Sequence, residues 1–271
     1  MKANLLVLVI FVVGCKPHDR EDPFSKLTLK ERIELSKSYY EEASHYGQGG
    51  KKYFVYLDSA ILANPENGIA YKEKSVWYFK TGQHLKGMEL LNKAVELDSL
   101  ELGYRGWLKL YWLRDFTGAI EDLTAYDNLT STTDYPMGDN LYFTRGLAKK
   151  QLGDFENALN DFNKCIEIDG ARGENLINHY VFLYKGITLF QMNRTEEALF
   201  SFNKVLESYA KCPEALYYKG MVLEYLGQKL EARENFLESY KYGQSDYLQR
   251  DPYIELFDQL YLSDIEEKLR D

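Results

Sequence analysis

The sequence predicts an all-α fold: an α-solenoid of about six helix–turn–helix repeats over residues 28–246, followed by a C-terminal capping helix within 247–271. Three observations predict it. A signature of small and aromatic side chains recurs with constant internal spacing, each copy carries apolar residues at helical period, and the copies return every 34 to 40 residues. Composition sets the outer bounds. A chain of 271 residues that is 45% hydrophobic and 28% charged has a globular balance, and its 6 Pro and 19 Gly exclude a collagen-like or linker-dominated protein. The net charge of −9, with no basic tract to offset it, repels polyanions and argues against nucleic acid as a partner.

The signature is clearest in the second half. Gly146, Gly153, Ala158 and Phe162 are separated by 7, 5 and 4 residues, and Gly220, Gly227, Ala232 and Phe236 repeat that spacing. Gly186, Asn193, Ala198 and Phe202 repeat it again, with Asn at the second position. Ser75, Gly82, Gly87 and Leu91 hold it upstream, as do Trp107, Arg114, Ala119 and Leu123, where both glycines are lost. The earliest copy is recognisable mainly in its second half, Tyr53 to Pro65. Over 154–168 the apolar positions 155, 158, 159, 162, 165 and 166 form one helical stripe, and Ala198, Leu199, Phe202, Val205 and Leu206 form the equivalent one. Gly146, Gly186 and Gly220 fall inside a helix, where Gly costs about 1 kcal/mol relative to Ala, so a close helix–helix approach is their expected reason. Gly153 and Gly227 fall between helices, where a positive φ ends one helix before the next begins. Such a pair cannot cover its own apolar face, so stacking of neighbours follows.

The spacing resembles the tetratricopeptide repeat, a 34-residue helix–turn–helix unit. Ala198 to Ala232 is the bare period, while Ala119 to Ala158 and Ala158 to Ala198 are 39 and 40 residues, with the extra residues expected in loops at 130–139 and 170–178. At the ends, the spacing of Thr28 and Glu31 predicts a capping box that opens a helix to about Tyr46. Asp251-Pro252 predicts the start of the capping helix, with Tyr253, Leu256, Phe257, Leu260 and Tyr261 on one stripe.

The resemblance implies that the first helix of each pair lines a concave groove that binds peptides or partner helices. The positions it assigns to that groove are Tyr104, Leu108, Phe143, Leu147, Leu183, Ile187, Tyr217 and Met221, with Tyr184, Tyr218, Tyr225 and Phe190 as further candidates. They are apolar or aromatic, so the Lys/Asn carboxylate clamp of the chaperone-type members is not expected. Two readings stay open: a Tyr-rich groove for an apolar or aromatic segment, or side chains packed against each other by tight curvature.

Residues 1–14 have the character of a signal peptide: Lys2 precedes an apolar run of nine, Leu5 to Val13. As a helix that run spans roughly 14 Å, against about 30 Å for a bilayer core. Val12-Val13-Gly14-Cys15 resembles the lipobox of bacterial lipoproteins, which implies acylation of Cys15 and tethering to the cell envelope, with the outer membrane expected and its face left open. Residues 15–27 are expected to be a polar tether. Catalytic signatures are thin. Gly47 to Lys52 lacks the Ser/Thr of a phosphate-binding loop, the four His show no metal-ligand spacing, and Glu41-Glu42, Glu196-Glu197 and Glu266-Glu267 point away from each other on their helices. No cofactor, metal or catalytic residue is expected. Cys165 and Cys212 lie more than one repeat apart and are expected to be unbridged.

The function expected is therefore a non-catalytic protein-interaction scaffold held at the envelope, with a protein or peptide partner. Alternatives are an accessory lipoprotein for outer-membrane or secretin assembly, one for carbohydrate uptake, and, furthest off, a glycan-acting enzyme, which would need two carboxyl groups facing one cleft.

Overall fold

The computed structural model describes residues 22–132 and 134–270; the expected signal peptide, Cys15 and the first part of the tether lie outside them. Among the described residues there are thirteen α-helices and no strand. The chain divides into two compact units, one ending at Glu101 and the other beginning at Leu102.

The first unit holds two antiparallel pairs, α1 (Leu29–Ser44) with α2 (Lys51–Ala63) and α3 (Gly68–Lys80) with α4 (His84–Leu97). The capping box forms: Thr28 Oγ1 accepts the Glu31 N–H at 3.3 Å, and Glu31 Oε2 accepts the Thr28 N–H at 2.8 Å. Residues 22–27, expected within the tether, are instead docked. Phe24 is buried, its ring centroid 6.4 Å from that of Tyr39, and Asp22 pairs with Arg32 at 2.7 Å. One aromatic side chain suffices to pull this end of an otherwise polar stretch onto α1.

The second unit holds four pairs: α5 (Leu102–Leu108) with α6 (Phe116–Asp127), α7 (Leu141–Gln151) with α8 (Phe155–Arg172), α9 (His179–Gln191) with α10 (Thr195–Ser208), and α11 (Pro213–Tyr225) with α12 (Lys229–Gln244). Within it each pair packs on the next, through α6 with α7, α8 with α9 and α10 with α11. The signature residues meet where the sequence places them. A Cβ at Gly146, Gly186 or Gly220 would lie 2.7, 2.6 or 2.6 Å from the ring of Phe162, Phe202 or Phe236, so each glycine leaves the space that its partner's phenyl ring fills. Ala158, Ala198 and Ala232 are buried beside them. Gly153 and Gly227 adopt φ of +76° and +78° with open space around them, and Asn193 takes +59° at the same position, so the turn requires the backbone conformation and not the missing side chain.

The third pair departs from the expected register. Its close approach is made by Gly106, where a Cβ would meet Leu123 at 2.8 Å, and not at Trp107. Arg105 and Lys109 both pair with Asp122 (2.8 and 2.9 Å), as Arg145 and Lys149 pair with Asp161 (2.9 and 2.7 Å), which fixes Gly106 as the equivalent of Gly146. The one surplus residue before Arg114, which takes the turn's positive φ of 55°, is absorbed by a π-helical turn over Lys109–Leu113. Further on, α8 runs through Gly170 to Arg172, so the expected 170–178 loop begins only at Gly173.

The C-terminal helix is also shorter than expected. It begins not at Pro252 but at Leu262: α13 (Leu262–Arg270) lies against α12, with Leu262 and Ile265 over Gly243 and Lys268 paired with Glu224 at 2.7 Å. Residues 249–261 form neither helix nor strand. Asp251 does begin a cap, accepting the N–H groups of Tyr253 and Ile254 at 2.8 and 3.1 Å. Propagation fails because the carbonyls of Glu255, Phe257 and Asp258 are taken by side chains of the first helices, and Asp258 sits at a φ of +49° that no α-helix contains.

Candidate functional site

The candidate site is the face that α5, α7, α9 and α11 present within the second unit, and the chain's own residues 249–260 lie across it. The segment starts at α11, where the backbone N–H of Gln249 donates to Glu214 Oε1 at 2.6 Å, with Glu214 itself buried. It reaches the π-helical turn that follows α5, where Tyr253 stacks on Trp112 at 6.0 Å between centroids and Arg114, just beyond the turn, donates to the Glu255 carbonyl. It then turns back across the centre. The Phe257 ring, buried, lies 5.7 Å from Tyr111 and 5.9 Å from Phe116, with the Arg114 guanidinium 4.2 Å above it.

Polar recognition is concentrated in the following residues. Tyr184 donates its hydroxyl to the Phe257 carbonyl at 2.9 Å, and Tyr218 donates to the Asp258 carbonyl at 3.2 Å. Burial pushes both phenols well above their ordinary range, so both hydroxyls are protonated donors at any physiological pH. Lys150 Nζ meets Asp258 Oδ2 at 2.7 Å, with the lysine side chain 3% exposed. Beneath the segment, Leu183, Tyr184 and Ile187 with residues 256–260 enclose a gap of only ≈ 10 Å³, about the space one water centre needs. The fit is close. Each polar contact joins a side chain of the face either to backbone or to one carboxylate.

The residues expected to line a groove separate into two sets. Leu108, Phe143, Leu147, Leu183 and Ile187 are buried, and Leu183 and Ile187 touch the cavity under the C-terminal segment. Tyr104, Tyr217 and Met221 are partly exposed; Tyr217 and Met221, like Leu269 of α13, pack against the cluster of Leu223, Ala232 and Phe236, and Tyr104 stacks near Trp107. The register of the third pair explains Leu108: with Gly106 as the signature residue, Leu108 falls one position further along the helix and turns into the core. Of the residues that meet this segment, the sequence offers Tyr184 and Tyr218 as further groove candidates, whereas Tyr111, Arg114 and Lys150 are not among them. Tyr184 and Tyr218 sit one position beyond Leu183 and Tyr217, and the path of residues 249–260 separates them from Tyr225 and Phe190, which do not bond to it in the described contacts.

Comparison with known proteins agrees with this architecture. The tetratricopeptide repeat family matches residues 139–172 and again 180–211, so the chain carries tetratricopeptide repeats over α7–α10. Among solved structures, pilF of Pseudomonas aeruginosa is similar with a TM-score of 0.60 at 18% identity, over 78% of this chain and 93% of that one. PilW, described as a widely conserved type IV pilus biogenesis factor, gives 0.58 at 14% identity over 81% and 93%. YrrB, a tetratricopeptide protein described as having an unusual peptide-binding site, gives 0.54 at 20% identity over 70% and 93%. At these identities the likeness is one of fold. No curated protein matches the chain in sequence.

Proposed function

We propose that this protein is a non-catalytic scaffold, tethered to a bacterial envelope through a lipid on Cys15, that binds a partner protein on the first-helix face of its second unit. The observation that carries the binding role is the twelve-residue stretch already lying on that face, held by side-chain bonds to three of its backbone carbonyls. A surface that orders its own chain without helix or sheet has the donors that peptide recognition needs. Of the two carboxylates at this contact, Asp258 of the segment is engaged by Lys150 and Glu214 of the face by the Gln249 backbone, which favours recognition over acid–base chemistry. The tether rests on MKANLLVLVIFVVGC alone. PilW is a precedent in fold for a pilus-assembly role, and supports that role as one form such a scaffold takes.

Two experiments test this. Replacing Cys15 by Ser is expected to move the protein from the membrane to the soluble fraction and to abolish labelling by a fatty-acid analogue; retention in the membrane would contradict the anchor. Crosslinking in intact envelopes, followed by mass spectrometry, is expected to join a partner to the wild-type second unit. Tyr104→Ala with Tyr217→Ala, both on partly exposed positions, should weaken that crosslink at unchanged helical signal, and an unaltered yield would contradict the face.

A further inference from the structure

Resting on the scaffold reading above, we infer that residues 249–260 are a ligand carried in cis, and that the face they cover takes from a partner protein a non-helical segment of the same chemistry: an aromatic residue followed directly by an acidic one, with an apolar residue two positions later. The chain supplies that pattern as Phe257, Asp258 and Leu260.

Three features of the contact separate a ligand from ordinary packing. First, the sequence carries a helical stripe over 253–261 and an Asp-Pro start, yet on the face the segment bends at 252–254, turns at Phe257-Asp258 with Asp258 at a φ of +49°, and forms no helix. Its contacts outweigh a local preference for helix, as a binding site outweighs the preference of a bound peptide. Second, the recognition is divided as peptide recognition is: Arg114, Tyr184 and Tyr218 hold carbonyls whatever the side chains, while the Phe257 ring and the Asp258 carboxylate each have a dedicated partner. Third, the part of the face that meets Phe257 and Asp258 carries two cations in a molecule of negative net charge, while the buried Glu214 lies at the start of the segment, against Gln249. Lys150 and Arg114 meet the segment in a chain of net charge −9, so the complement is an acidic residue beside an aromatic one. The segment enters through Arg250 to Tyr253, which are exposed, so it is attached to its surroundings on one side only over that stretch.

The consequence is competition. A tethered segment acts at an effective concentration of order millimolar, so a partner segment binds the wild-type chain only with the fraction of molecules whose own segment is off. Weakening the cis segment without touching the face raises the apparent affinity for the same segment in trans.

The test uses the full chain and, as probe, a fluorescein-labelled synthetic peptide of residues 249–261, followed by anisotropy. Phe257→Ala combined with Asp258→Ala in the protein is expected to bind the peptide at least tenfold more tightly than wild type. Adding Lys150→Glu to that variant, or placing Lys at the Asp position of the peptide, is expected to remove the gain. A variant that keeps its helical signal but binds no peptide, or binds it no better than wild type, overturns the inference. So does a stable dimer by light scattering that excludes the peptide, because the occupant is then a second copy. As a measurement without substitutions, hydrogen exchange of wild type with excess unlabelled peptide is expected to speed up at the amides of 253–260, and unchanged exchange counts against displacement. These outcomes leave the envelope crosslinking of wild type independent: peptide failure with a crosslinked partner retains the scaffold and rejects only the cis ligand.

Discussion

Gly186 and Phe202 share one volume, and neither side chain tolerates enlargement of the other. Gly186→Leu is expected to destabilise the protein by about 3 kcal/mol, at the upper end of overpacking costs, because the Phe202 ring would have to leave its place. Lys185→Ala, one residue earlier, should cost under about 1 kcal/mol: the lysine is half-buried, and burial already lowers its pKa, so losing the charge relieves part of its own cost. Thermal melts of the two variants check this, and equal shifts would contradict the packing register. A further residue-scale prediction concerns His179, whose ring packs between Tyr180 and Tyr209 with Nε2 buried. Burial lowers its pKa below the ordinary imidazole range. The unfolded chain therefore takes up the proton first as pH falls. The stabilisation from His179 is complete above the unfolded imidazole pKa and is lost as pH drops through the folded one. The melting temperature should fall more steeply between pH 7 and 5 in wild type than in His179→Phe, and parallel profiles would remove histidine from the acid response. At this scale the sequence was informative: the spacing of Gly146, Gly186 and Gly220 against Phe162, Phe202 and Phe236 marks the helix contact directly, because only a glycine can stand where a ring must pass.

Helix pairs in the second unit are clamped by more than apolar contact. In α7 and α8 the Asp161 carboxylate accepts Arg145 Nε and Nη2 at 3.0 and 2.9 Å and Lys149 at 2.7 Å, while Arg145 also reaches Asp127 of α6 at 3.1 Å. The same triad recurs as Asp122 with Arg105 and Lys109. These groups are mostly buried, so removing the carboxylate strands Lys149 and leaves Arg145 with Asp127 alone. Asp161→Ala is expected to cost about 3–5 kcal/mol by urea denaturation, whereas a surface pair such as Lys204 with Glu207 should contribute no more than about 1 kcal/mol. Element boundaries were partly legible. Thr28 and Glu31 announce α1 because capping is a local event, and the turn glycines announce their turns for the same reason. The π turn of Lys109–Leu113 was not legible: one surplus residue between Gly106 and Arg114 leaves the outer spacing intact while shifting everything within, which is how Trp107 and Leu108 came to be assigned one position late. The start of α13 was not legible either. Residues 251–261 carry helical periodicity, and only tertiary hydrogen bonds to Arg114, Tyr184 and Tyr218 decide against it.

For the second unit as a whole, the stack of four pairs leaves one face of first helices in need of a cover, and the chain supplies it from its own C-terminal residues. The sequence made that face recognisable as aromatic but could not show what lies on it, since the contacts join residues up to 141 positions apart. Occupation in cis connects the two readings that the aromatic positions allowed: the face is packed, and it is packed by a peptide. The most direct test is zero-length carbodiimide coupling of the full-length protein. Lys150 and Asp258 are in contact at 2.7 Å, as are Lys268 and Glu224, which serve as the internal control. The account predicts an intramolecular isopeptide bond between Lys150 and Asp258, at a yield that falls when the peptide of residues 249–261 is added in excess. Coupling of Lys268 to Glu224 with none between Lys150 and Asp258 would contradict it.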